Sequence, residues 1–125
     1  MPDFDVYKNQ YPSRRNTVYA SRGMVCSSLP HASGIGLEIL KKGGNAIDAA
    51  VAVAAALPLL EPTSNGLGSD AFALVWTEGK LHALNASGRA PKARSADIVK
   101  AAGHSQVPKN GWMPVMVPGA PSAWA

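Results

Sequence analysis

The stretch GGNAIDAAVAVAAALPLLEP, residues 43–62, decides the fold because it predicts a helix that is apolar on every side. Residues 46–57 are all alanine, valine, isoleucine or leucine, apart from the single charge of Asp48. A helix without a polar face must be covered on all sides. We therefore expect a core helix whose cover is completed by a body larger than this chain, or by a partner.

The flanking residues predict where this helix begins and ends. Asn45 is a suitable N-cap, and Asp48 three residues later forms an imperfect capping box. Pro58 and Pro62 are expected to stop the helix, because proline lacks a backbone N–H and its ring clashes with the preceding turn. A membrane span needs about 20 apolar residues, so this run is too short to be one.

Composition places the chain among globular proteins. It has 125 residues, of which 46% are hydrophobic and 16% charged, enough for one domain with a core. The net charge of +4 comes from scattered basic residues, so we expect no nucleic-acid partner. Cys26 is the single cysteine and cannot form an internal disulfide. Residues 1–10 are polar and do not resemble a signal peptide, so we expect a cytoplasmic protein without a membrane segment.

The other elements predict an α+β chain. Residues 1–22 lack a regular period and indicate an irregular lead-in, and residues 23–26 are a short strand candidate. Ser28 is a possible N-cap for a helix that ends at Gly43 and Gly44.

The second half of the chain predicts a β-hairpin. Residues 71–76 and 80–85 have strand composition and are joined by a short turn, so they should pair antiparallel. A short helix is expected to begin near Ser95. Residues 113–125 predict a strand, a turn and the start of another helix, which favours a piece of a larger protein.

Few motifs point to chemistry within this chain. GLGSDA, residues 66–71, matches a relaxed dinucleotide-binding pattern. That pattern needs a strand before it and a helix after it, whereas here a loop precedes it and a predicted strand follows, so we do not expect nucleotide binding. Cys26 is interpreted as a small core residue of its strand. The histidines are far apart and lack metal-ligand spacing: they are His31, His82 and His104. We therefore predict no cofactor and no metal site.

Two carboxylates and one arginine are the remaining candidates. Glu61 and Asp70 flank the glycine loop and could act as an acid–base pair, although a structural role for Glu61 is the simpler interpretation. Arg89 follows the second predicted strand beside Gly88, where a guanidinium can bind a carboxylate through two parallel hydrogen bonds. The alternative is a surface arginine. No nucleophile–base pair is recognisable, so we predict no catalytic residue here and no activity of the chain alone.

Three segments occur in order along the chain, and together they indicate a family. They are GMVCSSLPHAS from residue 23, GLEILKKGGNAIDAAVA from residue 36 and EPTSNGLGSDAF from residue 61. This series closely resembles the start of the large subunit of the γ-glutamyltransferase (γ-glutamyltranspeptidase) and glutaryl-cephalosporin acylase family. VPGAPSAWA from residue 117 resembles a further turn of that family.

This resemblance implies an αββα N-terminal-nucleophile hydrolase, cut from a longer precursor into a large and a small subunit. A threonine at the start of the small subunit, outside this chain, would attack a γ-glutamyl or related acyl amide and pass the acyl group on. Residues 23–125 would be the N-terminal portion of the large subunit, an incomplete domain. Its partners would be the small-molecule acyl amide, the rest of the large subunit and the small subunit. The alternative is a non-catalytic truncated product that only docks onto a partner subunit.

The chain departs from the family at the residues that hold the substrate. γ-Glutamyltransferases carry R-E-x-A-P after the second strand, and that arginine binds the α-carboxylate of the glutamyl group. This chain has SGRAP, and counting back from Pro91 places Ser87 at the arginine position and Arg89 two residues later. The resemblance therefore implies Ser87 and Arg89 as substrate-binding residues, and it favours an acylase-like branch over a glutathione-specific one.

Overall fold

The computed structural model describes residues 17–125, so the predicted lead-in over residues 1–22 lies mostly outside the described residues. A helical pair comes first, followed by a β-hairpin and two short helices, as an α+β chain requires. The elements are α1 (Pro30–Lys41), α2 (Ala46–Leu60), β1 (Ala71–Thr77), β2 (Lys80–Ala86), α3 (Ala96–Ala101) and α4 (Ala120–Trp124).

Helices α1 and α2 pack against each other through small residues. Ala32 and Gly36 of α1 are buried, and so are Ala49 and Val53 of α2. A methyl group added at Gly36 would lie 2.7 Å from Val53 Cγ2 and 2.8 Å from Val25 Cγ1. Glycine at this position therefore allows an approach of the two helices that a larger side chain would prevent.

Helix α2 begins as predicted. The Asn45 Oδ1 atom accepts hydrogen bonds from the N–H groups of Ile47 and Asp48, at 2.8 and 3.0 Å. In return, the Asp48 carboxylate accepts one from the Asn45 N–H at 2.8 Å. The capping box is therefore complete, and it satisfies N–H groups that have no partner inside the helix.

The prediction that Pro58 stops α2 is wrong. The helix runs through Pro58 and ends at Leu60. Proline removes one hydrogen bond of the helix, but the pattern resumes at once, because the Glu61 N–H donates to the Leu57 carbonyl at 2.7 Å. Pro58 lies in the last turn, where few backbone bonds remain to be lost.

The prediction that Ser28 caps α1 is also wrong. The N-cap is Leu29, which makes no side-chain capping bond. Ser28 Oγ donates instead to the Glu61 carboxylate at 2.7 Å, and Asn65 Nδ2 donates to the same oxygen at 3.0 Å. Glu61 thus joins the start of α1 to the loop after α2, as its structural interpretation requires.

The predicted hairpin is confirmed, with one more residue on each strand than expected. Thr77 pairs with Lys80 at its closed end, and the strands are antiparallel. Both turn residues have positive φ, 51° at Glu78 and 73° at Gly79. A two-residue turn with this geometry matches the twist of the strands that it joins.

Two other predicted strands do not form among the described residues. Residues 23–26 and 113–117 are both irregular. A strand needs a paired neighbour, and the sheet of the described residues contains β1 and β2 only. The prediction that Cys26 is a core residue of the first strand is wrong, because that strand does not form and Cys26 is exposed.

Much of the apolar surface of the described residues is uncovered. On one face of β1, Phe72, Leu74 and Trp76 are 65%, 74% and 70% exposed. Helix α2 buries residues on its α1 side, and its other sides are partly open. The buried hydrophobic residues are mostly small: Ala32, Ala49, Val53, Val99 and Ala120.

Candidate functional site

A three-loop junction lies at the open end of the hairpin. The Ser69 carbonyl accepts hydrogen bonds from the N–H groups of Gly119 and Ala120, at 3.1 and 3.0 Å. The Val117 N–H donates to the Arg89 carbonyl at 2.9 Å. These backbone bonds join the loop before β1, the loop after β2 and the turn before α4: residues 66–70, 87–89 and 117–119.

Two glycines permit the close crossing of backbones at this junction. A methyl group at Gly88 would overlap the Val117 carbonyl oxygen, and one at Gly119 would overlap that of Ala86. Gly88 also has a φ of 81°, in the left-handed region that glycine adopts without strain. The geometry of the junction therefore depends on glycine at both positions.

Two open cavities border the junction. The smaller, of about 330 Å³, is lined by the end of the glycine loop, Ser87 and residues 114–117. The larger, of about 540 Å³, is lined by the end of β2, Ser87, Arg89, the turn before α4 and Ser122. Ser87 lines both cavities, whereas Arg89 lines the larger one only.

The two predicted substrate-binding residues therefore share one cavity at the end of β2. Both residues are exposed. The Ser87 N–H donates to Asn85 Oδ1 at 3.0 Å, and the Arg89 carbonyl is held by Val117, so the backbone of each is fixed. A role of these side chains in substrate binding stays a prediction.

The predicted acid–base pair is not assembled in these cavities. Asp70 lines the smaller cavity, and Glu61 lines neither of them. The Glu61 carboxylate accepts the two hydrogen bonds described above and lies beside α1. Within residues 17–125, no group of three or more His, Cys, Asp or Glu side chains could hold a metal ion. In the same range, no helix is both long and apolar enough to pass through a membrane.

Arg94 is a residue of this region that the sequence reasoning missed. Its Nη1 donates to the carbonyls of Met113 and Val115, and its Nη2 approaches Met116 Sδ. These partners lie 19 to 22 residues further along the chain. No local pattern around Arg94 indicates so distant a contact.

Comparison with known proteins agrees with this arrangement of segments. A family model described as Gamma-glutamyltranspeptidase matches residues 32–125. The fold is that of the corresponding part of an α+β N-terminal-nucleophile hydrolase, and the chain belongs to the γ-glutamyltranspeptidase family.

Curated relatives include proteins of bacteria and yeast. The glutathione hydrolase-like YwrD proenzyme of Bacillus subtilis (strain 168) is 40% identical over 111 residues, which cover 86% of this chain and 21% of the relative. Glutathione hydrolase proenzyme 1 of Schizosaccharomyces pombe is 36% identical over 114 residues, covering 90% of this chain and 18% of the relative. The chain thus spans about a fifth of the length of these relatives.

Solved structures of the family superpose on most of the chain. A cephalosporin acylase from Bacillus halodurans has a TM-score of 0.84 and 64% identity, and the match covers 97% of this chain and 23% of that one. The γ-glutamyltranspeptidase of Helicobacter pylori has a TM-score of 0.76 and 31% identity, with 87% of this chain and 32% of that one covered.

Proposed function

We propose that this chain is part of an N-terminal-nucleophile hydrolase that transfers or hydrolyses a γ-glutamyl or related acyl group. Family membership supports the reaction class, and the relatives named as proenzymes support maturation by cleavage. The nucleophile would be a threonine outside this chain, activated by its own α-amino group. The partners would be the rest of the large subunit and the small subunit, and the proposed location is the cytoplasm.

The maturation part of this proposal has a direct test. Mass spectrometry of the protein from its native source should find a second chain that begins with threonine. The purified chain by itself should release no product from a γ-glutamyl anilide above a heat-killed control. Recovery of this chain alone would favour the alternative, a non-catalytic product that docks onto a partner subunit.

The acyl specificity that we propose depends on Ser87 and Arg89 bordering the same cavity. A serine hydroxyl is short and neutral, so it binds a carboxylate more weakly than an arginine would at that position. Arg89, two residues after Ser87, carries the positive charge that Ser87 lacks. We infer that Arg89 binds the carboxylate of acidic acyl donors less directly than an arginine at position 87 would. Glutathione should therefore be a poorer substrate than simple glutaryl or other acyl amides.

Kinetics of the complete, processed enzyme test this specificity. Arg89→Ala should raise KM for a glutaryl amide, with a loss of about 1.5–3 kcal/mol, because a charged hydrogen bond is removed. That loss corresponds to about a 10- to 150-fold change in kcat/KM. Arg22→Ala is the matched control, since Arg22 is also exposed but lines a cavity beside α2. Efficient glutathione turnover that is indifferent to Arg89→Ala would show that the acyl pocket lies elsewhere.

A further inference from the structure

We propose that Arg94 is a positioning residue, which holds one wall of the smaller cavity through the segment 113–116. Its effect on substrate binding rests on the proposed function. Arg94 is half-buried, and its guanidinium donates to the carbonyls of Met113 and Val115. A planar guanidinium presents several N–H donors in a fixed arrangement, so one side chain can hold two carbonyls of the same segment.

Among the described residues, few other hydrogen bonds hold the segment 113–116. It belongs to no helix or strand, and Val115 and Met116 are 50% and 37% exposed. The Val115 N–H donates to the Trp112 carbonyl at 3.3 Å. Just after the segment, the Val117 N–H donates to the Arg89 carbonyl. The hydrogen bonds from Arg94 therefore satisfy carbonyls that would have strand partners in a regular sheet.

This segment is also a wall of the smaller cavity. Pro114, Val115 and Met116 line it, together with the end of the glycine loop and Ser87. Arg94 is absent from the lining of both cavities at the junction. It therefore acts on the cavity through the segment that it holds, and it does not touch a ligand there.

Hydrogen exchange and kinetics on the complete enzyme test this inference together. Arg94→Ala should speed amide exchange at Val115 and Val117 and raise KM for a glutaryl amide several-fold, with kcat little changed. Arg94→Lys should restore part of both properties, because an ammonium provides donors without the planar arrangement. Lys92→Ala, an exposed residue of the same loop, is the control and should leave both unchanged.

Three results would overturn the inference. They are unchanged exchange at residues 113–117 in Arg94→Ala, faster exchange there with an unchanged KM, and faster exchange that extends through α2. The last result would show a general loss of stability in place of a local role of Arg94. If the wild type turns over no acyl amide, the proposed function fails, whereas exchange still decides whether Arg94 holds the segment.

Discussion

Individual glycines determine how closely the backbones approach at the junction. Gly88 and Gly79 form a matched pair, since both have positive φ, 81° and 73°. A methyl group at Gly79 would meet open space, whereas one at Gly88 would overlap the Val117 carbonyl. The two positions therefore separate the cost of backbone strain from the cost of a steric clash.

We predict that Gly88→Ala destabilises the complete protein more than Gly79→Ala does. Left-handed backbone costs a non-glycine residue about 1–2 kcal/mol, which both variants should show. The clash at residue 88 should add about 1–3 kcal/mol. Denaturant unfolding of both variants measures the difference in stability. Equal losses would contradict the prediction, because they would show that the turn before α4 shifts and relieves the clash at no cost.

The contact between α1 and α2 covers only part of the apolar surface of α2. The side of α2 that carries Ala49 and Val53 is buried against α1. Val51 lies on another side and is half-buried. The sequence predicts cover on nearly every side of this helix, which the described residues do not provide.

Val51→Asp in the complete enzyme tests this prediction. If other parts of the protein cover that side of α2, the variant should lose several kcal/mol, because it buries an unpaired charge. Val53→Asp is the reference, since Val53 is 8% exposed and should be sensitive in either case. A soluble and fully active Val51→Asp enzyme would show that this side of α2 faces water.

The whole described part has more apolar surface than its own elements can cover. Leu59 and Trp112 are 85% and 91% exposed, whereas the buried residues are mainly alanine and valine. Fully burying a valine, leucine, isoleucine, phenylalanine or methionine side chain contributes about 1.5–3 kcal/mol. The buried hydrophobic residues include two valines and no larger side chain, so this core stabilises little. The chain matches 21% and 18% of the length of the two curated relatives described above, and the rest of such a protein would provide the missing cover.

We therefore predict that the isolated chain unfolds over a broad temperature range and tends to associate. Calorimetry at several concentrations measures both properties. A triple variant of the exposed face, with serine at positions 72, 74 and 76, should associate less because it removes the apolar side chains of β1. A sharp, concentration-independent transition of a monomer would contradict the prediction.

Elements with local signals could be predicted from the sequence alone. The capping box of α2 spans four residues, and the hairpin depends on two short strands and a two-residue turn. Helix α3 begins where Ser95 predicts, with the Ser95 hydroxyl accepting the Ile98 N–H at 3.3 Å. The family was also recognisable from the sequence, because its motifs are contiguous.

Features that depend on distant neighbours become visible only in the three-dimensional structure. Residues 23–26 have strand composition but find no paired strand within residues 17–125, and Cys26 is exposed. Ser28 bonds to a carboxylate 33 residues away in place of capping its own helix. The family resemblance and the position after β2 predict Ser87 and Arg89 as substrate-binding residues, which stays a prediction. The cavity that these two residues share and the distant contacts of Arg94 have no local signal in the sequence. Long-range contacts form when segments far apart in the sequence pack together, and a local sequence pattern does not indicate which segments will meet.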